Sequence, residues 1–424
     1  MLIGLAVLSA RILRLAAASD LNQWDGWAMW GPKAHALFAE GDVWGAVFRE
    51  PAYVMQHQEY PILLPALEAL TATAVGRFDP ALIDIGPAIV LVAFGWAAWA
   101  LLRLVIRGPA AAAVALALTG STPLIANATA NYADSVVAAF GALGVVCLFL
   151  WLTTGAVPVL LLSVVFLAAT VSTKAEGILF VVCALVAAAA AARGFGRSIR
   201  TTAIVGGCVL AVPALWAVVD RLNGPGADNV EARAFVDPRF MIDAAGRIPG
   251  SAGMLLDEIG TGWPLVSIAV LLALMVACLA RAWWHALFVG LWALLTFSAL
   301  VVVYYSSTAP ADWLLTTSAD RVVFTLVLVL ATVAPLLVAP AFGTARDLSD
   351  LDANGRDPVD RQGLDELGAQ AGGSPMPQRG WSWAGLVRGE APPDLPATTA
   401  MPFAAPHGAA PGEGTSRSND EPVD

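Results

Sequence analysis

Charge is what this chain has least of. Only 13% of its 424 residues are Asp, Glu, Lys or Arg, about half the roughly 25% that a soluble domain carries. A water-facing surface cannot be assembled at that density, and 58% of the residues are hydrophobic, with a mean hydropathy of +0.71. Lysine is scarcer still. Of 23 basic residues, all but Lys33 and Lys174 are arginine, a bias that points to a GC-rich genome. No basic patch is present, which excludes a nucleic-acid partner. The four cysteines, Cys147, Cys183, Cys208 and Cys278, lie inside apolar runs without metal-type spacing. That pattern excludes a disulfide framework and a zinc site.

What is present is a series of long apolar runs. A helix needs roughly 20 apolar residues to span a bilayer. Runs near that length occupy 2–18, 82–106, 110–126, 135–154, 156–172, 177–193, 201–219, 263–280, 283–304 and 322–342. They predict an all-α fold: a polytopic transmembrane helical bundle of about ten spans over residues 1–342. The first run is short and contains Arg11 and Arg14, which suits a span whose true start lies upstream of Met1. Residues 62–76 number too few to cross and carry Glu68 mid-run, so they are expected to lie at the interface. Residues 342–424 hold 13 acids and 6 arginines among Gly, Pro and Ala. Such a segment cannot bury a core, so 343–424 is expected to be a disordered, acidic cytoplasmic tail.

Arginine placement orients the bundle. Arg103, Arg107, Arg193, Arg197, Arg200 and Arg281 separate successive runs, and the positive-inside rule assigns those turns to the cytoplasm. The segments 19–81, 127–134, 173–176, 220–262 and 305–321 then face outward. A multi-pass protein of the cell membrane follows, with a bacterial inner membrane as its expected home.

Most of the strong ionisable residues near the apolar runs fall at run ends on that outer side. The first outer loop reads DLNQWDGWAMWGPKAHALF and then HQEYPILLPALEAL. Asp25 stands there with Trp24, Trp27, Trp30 and Lys33, followed by His57 and Glu59. Tryptophans favour the interface as an aromatic belt, yet beside a carboxylate they also suit stacking on a sugar. Asp134, in NATANYADS, opens the fourth run, where a carboxylate can cap free amides. In STKAEG, Ser172 or Thr173 with Glu176 resembles a capping box. Lys174 runs against the sidedness rule and suits a lipid phosphate. Arg321, in SADR, either pairs with Asp320 or holds a phosphate in bidentate fashion.

In the order of these parts the chain resembles the GT-C superfamily of integral-membrane glycosyltransferases. The likeness is to its protein mannosyltransferase-like and aminoarabinose-transferase-like branch. It covers about residues 1–342 and rests on WDGWAMWGPKA, HQEYPILLPALEAL, VGRFDP, NYAD, STKAEG and SADR, in that sequence. The resemblance implies a polyprenyl-phosphate sugar donor and a glycan, lipid or protein acceptor, handled at the outer face among membrane lipids. It implies Asp25 as the catalytic base or acceptor organiser, with Asp134 as the second catalytic acid. Lys174 and Arg321 would hold the phosphate leaving group. Trp27, Trp30, Lys33, His57, Glu59 and Glu176 complete the expected substrate-binding set. Two departures from the family pattern stand out: Asp20 and Asp25 are separated, and Glu59-Tyr60-Pro61 replaces paired prolines. No metal ligands are expected; a divalent cation as cofactor is left open. The competing reading is a transporter or lipid flippase, which would place its ionisable groups near the bilayer midplane. A third is an assembly partner recruiting others through the acidic tail.

Overall fold

The computed structural model describes residues 1–19, 23–224, 237–307 and 311–339. Asp20 and the expected disordered tail at 343–424 lie outside the described residues. Within them the chain is helical, with no strand.

The longer helices are α1 (Leu2–Ala16), α2 (Gly31–Glu40), α3 (Leu63–Val75), α4 (Ile85–Leu102), α5 (Gly108–Thr119) and α6 (Thr122–Thr129). After these come α7 (Ala133–Thr154), α8 (Val157–Thr173), α9 (Gly177–Ala192), α10 (Ile199–Asn223) and α11 (Ile248–Asp257). The series ends with α12 (Pro264–Leu279), α13 (Trp283–Ser306) and α14 (Ala311–Val338). Among the described residues, six helices are long and apolar enough to cross a membrane, or up to eight if two bent pairs count as one span each. One bent pair is α5 with α6, turned 54° at Gly120-Ser121; the other is Pro238–Gly262 with α12, turned 96°. Proline near the start of α6 and of α12 explains both breaks, because it supplies no amide to continue the preceding helix. The runs at 2–18 and 156–172 form helices of 15 and 17 residues, each below full spanning length. The 62–76 run forms the 13-residue α3, too short to cross a bilayer.

Helix α7 is the central column, 89% buried, and packs on α4, α8, α9 and α14. Small residues allow that density. A Cβ on Gly144 would stand 2.6 Å from the Leu167 side chain, and the Ser163 hydroxyl donates to the Gly144 carbonyl at 2.9 Å. The outer helices behave oppositely. Leu265, Ile268, Leu271, Leu272, Met275 and Leu279 form an exposed stripe on α12. An uninterrupted apolar stripe is unfavourable in water and natural in lipid. The fold is that of a multi-pass membrane protein.

The two ends of the column differ in charge. Asp134 lies at the start of α7, while Arg197 donates to the Leu152 and Thr153 carbonyls at its finish, at 3.0 and 3.3 Å. At 1.5 Å per residue these ends are about 27 Å apart, close to the thickness of a bilayer's hydrocarbon core. Helix α8 runs back from the arginine end to Lys174, and α9 leaves from there.

Candidate functional site

Helix ends converge at the acidic end of the column. Asp25 begins a short π-helical turn, Asp25–Trp30. Asp134 sits in the first turn of α7, Lys174 and Glu176 form the α8–α9 corner, and Arg321 lies on α14. Lys174 Nζ donates to Asp134 Oδ1 at 3.0 Å and stands 3.4 Å from Glu176 Oε1. Arg321 forms a short ion pair with Asp25, and its Nη1 is 3.9 Å from Asp134 Oδ2. Acids and bases therefore alternate: Asp25, Arg321, Asp134, Lys174, Glu176. All five are largely shielded from solvent. Burial by itself favours the neutral amine of Lys174. The Asp134 and Glu176 carboxylates outweigh it and hold the ammonium well above the ordinary lysine range.

Three readings of these residues change with the structure. STKAEG is not a capping box: the Ser172 and Thr173 hydroxyls donate back to the Ala168 and Ala169 carbonyls at 2.7 and 2.8 Å. The backbone stays helical through Thr173, so those hydroxyls cannot reach the amides of α9. Asp134 caps nothing through its side chain, because its Oδ1 is taken by Lys174. Arg321 finds Asp25 across 296 residues of sequence, while neighbouring Asp320 points to the exterior.

Tyrosines complete the site, and the sequence did not single them out. The Arg321 guanidinium lies 4.3 Å from the Tyr132 ring centre, an arrangement favourable to a cation over a π face. Tyr132 also donates to Gln23 Oε1 at 3.0 Å. Tyr304 and Ser318 hydroxyls meet at 2.9 Å, within electrostatic reach of Lys174 and Asp134. The signal available for Tyr132 was its place in NYAD, two residues before Asp134. Inside this site Asp134 Oδ2 and Glu176 Oε2 are buried without a hydrogen-bond donor, which leaves two acceptors unmet.

Lys33, His57 and Glu59 gather in an adjoining cluster. Lys33 is fully buried and donates a short hydrogen bond to the His57 carbonyl. Its ammonium stands 5.5 and 5.9 Å from the Trp30 and Tyr60 ring centres. His57 adopts a left-handed backbone, φ 49°, stacks on Tyr60 and contacts Glu59 Oε1 through Nδ1 at 3.1 Å. Trp216 donates to the Glu59 carbonyl at 2.9 Å. Burial raises the Glu59 acid, but the His57 hydrogen bond and the His57 and Lys33 charges leave it net below its usual range. The two clusters adjoin at Tyr60, which interacts with Lys33 on one side and Lys174 on the other. Trp27 is exposed and packs edge-on against Trp24, while Trp30 is buried.

Burial lowers the Lys33 pKa to about 7, against the partial opposition of Glu59 and Asp220. The unfolded chain keeps that proton to about pH 10.4, so between pH 7 and 10 it binds more protons than the folded chain. Stability therefore rises with pH in that window. Lys33→Met is expected to remove a gain on the order of 2 kcal/mol between pH 7 and 9. Thermal unfolding of the detergent-solubilised protein at the two pH values reads this out; an unchanged pH slope in the variant would sink the assignment.

The bundle also holds an apolar groove of about 740 Å³. It runs between α5, α12 and α14, from Trp263 and Phe324 to Arg107 and Val338. Phe324 is one helical turn from Arg321, and the stretch of α14 from Phe324 to Val338 is about 21 Å long. Among the described residues, no three His, Cys, Asp or Glu side chains converge as a metal cluster. No protein-family model matches this chain, and neither a curated protein nor a solved structure matches it significantly.

Proposed function

We propose that the chain is an inverting membrane glycosyltransferase, moving a sugar from a polyprenyl-phosphate donor to an acceptor hydroxyl at the outer face of the membrane. The observation that carries this reading is the pairing of two features. A buried cluster of acids and bases lies at one end of the bundle, and the apolar groove is lined by Phe324, one helical turn along α14 from Arg321. A lipid-linked sugar phosphate needs both: cationic groups for the phosphate and a lipid-like channel for the chain.

In this reading Arg321 and Lys174 hold the donor phosphate. Arg321 has five N–H donors in a fixed fork, and a phosphate competing for them releases Asp25. The freed carboxylate takes the proton of the acceptor hydroxyl while that oxygen attacks the anomeric carbon. The carbon–oxygen bond to phosphate breaks, and polyprenyl phosphate leaves with its new charge balanced by the two cations. Asp134 lies between the cations and fixes their spacing.

Ten crossings follow if α1 and α8 are counted with the six long helices and two bent pairs. The arginine-bearing turns then lie in the cytoplasm and the ionic cluster faces outward. The transporter reading is less favoured. Among the described residues, buried Lys33, Glu68, Asp84, Asp134 and Lys174 lie at helix ends or in short helices, none in the middle of a long one.

Asp25→Asn is expected to leave the protein in the membrane and lower transfer by about 10²–10⁴-fold, the usual contribution of a general base. The assay is transfer of radiolabelled sugar from polyprenyl-phosphate donors in membranes. Equal transfer by variant and wild type would remove Asp25 from the role.

A further inference from the structure

Beneath the turn that carries Asp134 lies a second polar cluster, without a basic residue among the contacts that define it. Glu68 on α3, Asp84 at the start of α4 and Asn131 between α6 and α7 are each fully buried. Both carboxylate oxygens of Glu68, both of Asp84, and the oxygen and nitrogen of the Asn131 amide lack a partner at hydrogen-bonding geometry. Asp84 occupies a helix start but does not cap it. The elements are in contact: a Cβ on Gly86, two residues after Asp84, would lie 3.8 Å from the Glu68 backbone nitrogen and 3.9 Å from its Cγ. Burial holds the Glu68 carboxyl well above the usual carboxylate range; the Asn131 amide beside it opposes this in part, and the nearby Asp84 charge adds to it. Asn131 holds a left-handed backbone, φ 55°, which Asn tolerates better than most residues.

The imbalance is one of acceptors. With both acids ionised, the five side-chain oxygens have a single amide NH₂ among them, so hydrogen bonding within the cluster cannot satisfy them. Leaving such groups unmet in a buried site is expensive. An all-oxygen donor set containing two carboxylates and an amide carbonyl, with neither nitrogen nor sulfur, suits a hard cation, and two negative charges suit a divalent one. We propose that Glu68, Asp84 and the Asn131 carbonyl oxygen bind one hard divalent cation of the calcium type.

Its role is a brace. Asn131 immediately precedes Tyr132, which underlies Arg321, and lies three residues before Asp134. A cation joining α3, α4 and this turn fixes the segment from which the ionic cluster is built. The inference stands on these residues alone and does not depend on the chain being a transferase.

The test uses the full chain, purified in detergent and stripped with EDTA, then titrated with calcium by equilibrium binding and followed by thermal unfolding. One tightly bound calcium per chain is expected in wild type, with Tm raised by at least about 3 °C at saturation. Glu68→Gln is expected to lose both effects, and in EDTA to melt no lower than wild type, because it removes an unmet carboxylate. Asn131→Asp adds a third carboxylate and is expected to tighten binding about tenfold, so it decides the matter even if Glu68→Gln fails to fold. Calcium binding unaffected by Glu68→Gln and Asn131→Asp would overturn the proposal and point to the acidic segment at 342–424. Absence of any calcium response in wild type would overturn it in favour of protonated or hydrated acids.

Discussion

Lys174→Met is expected to lower unfolding free energy by about 3–5 kcal/mol, the usual cost of leaving one partner of a buried pair uncompensated, and to abolish sugar transfer. The argument rests on Asp134, whose Oδ1 accepts from Lys174 at 3.0 Å while both side chains are nearly inaccessible. Arg321, 3.9 Å from Asp134 Oδ2, compensates in part, which sets the loss toward the lower figure. Neutralising the acid as well separates stability from chemistry. The double variant Lys174→Met, Asp134→Asn is expected to regain most of the lost stability, because the only carboxylate then left without Lys174 is the partly exposed Glu176, yet to stay inactive. Denaturation in detergent beside the transfer assay reads both quantities. A single variant as stable as wild type would show that the pair is not buried as described. A double variant that transfers sugar would remove the two residues from the mechanism.

Gly177→Ala is the second large effect expected. A Cβ there would lie 2.3 Å from the Thr170 carbonyl oxygen and 2.9 Å from its carbon. Both are backbone atoms with no side-chain freedom to yield. Helices α8 and α9 must separate, at a cost of roughly 1–3 kcal/mol or more, and the corner between them is the one that presents Lys174. A displacement of about 1 Å at a positioning group can lower a rate about 10²-fold, so transfer is expected to fall by that factor. Gly207→Ala is the control. Its Cβ would meet nothing within 4 Å, and alanine favours a helix over glycine, so stability should hold or rise. Similar losses at both positions would refute the close-approach explanation.

Much of this site was legible as a one-dimensional pattern. Asp25, Asp134, Lys174 and Arg321 each lie at the end of an apolar run. When runs alternate across a layer of fixed thickness, alternate ends must share a face, which is why four residues spread over nearly 300 positions converge. The choice of partner was not legible. Arg321 has an acid beside it in sequence, but on a helix neighbouring residues point in different directions, and Asp25 is the one that packing presents. Lys33, His57 and Glu59 share a loop with Asp25 yet fold into a cluster of their own, because Trp30 and Tyr60 provide an apolar shelter for Lys33. The Glu68–Asp84–Asn131 cluster escaped notice for a similar reason. Its members belong to three elements, and no spacing rule joins them.

The contrast between a buried column and exposed outer helices has a further consequence. Helix α7 is 89% buried, whereas α10 is only 22% buried. A bilayer thicker or thinner than the protein's apolar belt acts through the residues that touch lipid, and helices answer such mismatch by tilting. The tilt then falls on α10 and on the leucine stripe of α12, while α7 is clasped by neighbours that move with it. The height of Asp134 relative to Lys174 is thereby decoupled from membrane thickness: the periphery adapts to the solvent, and the core keeps the measure.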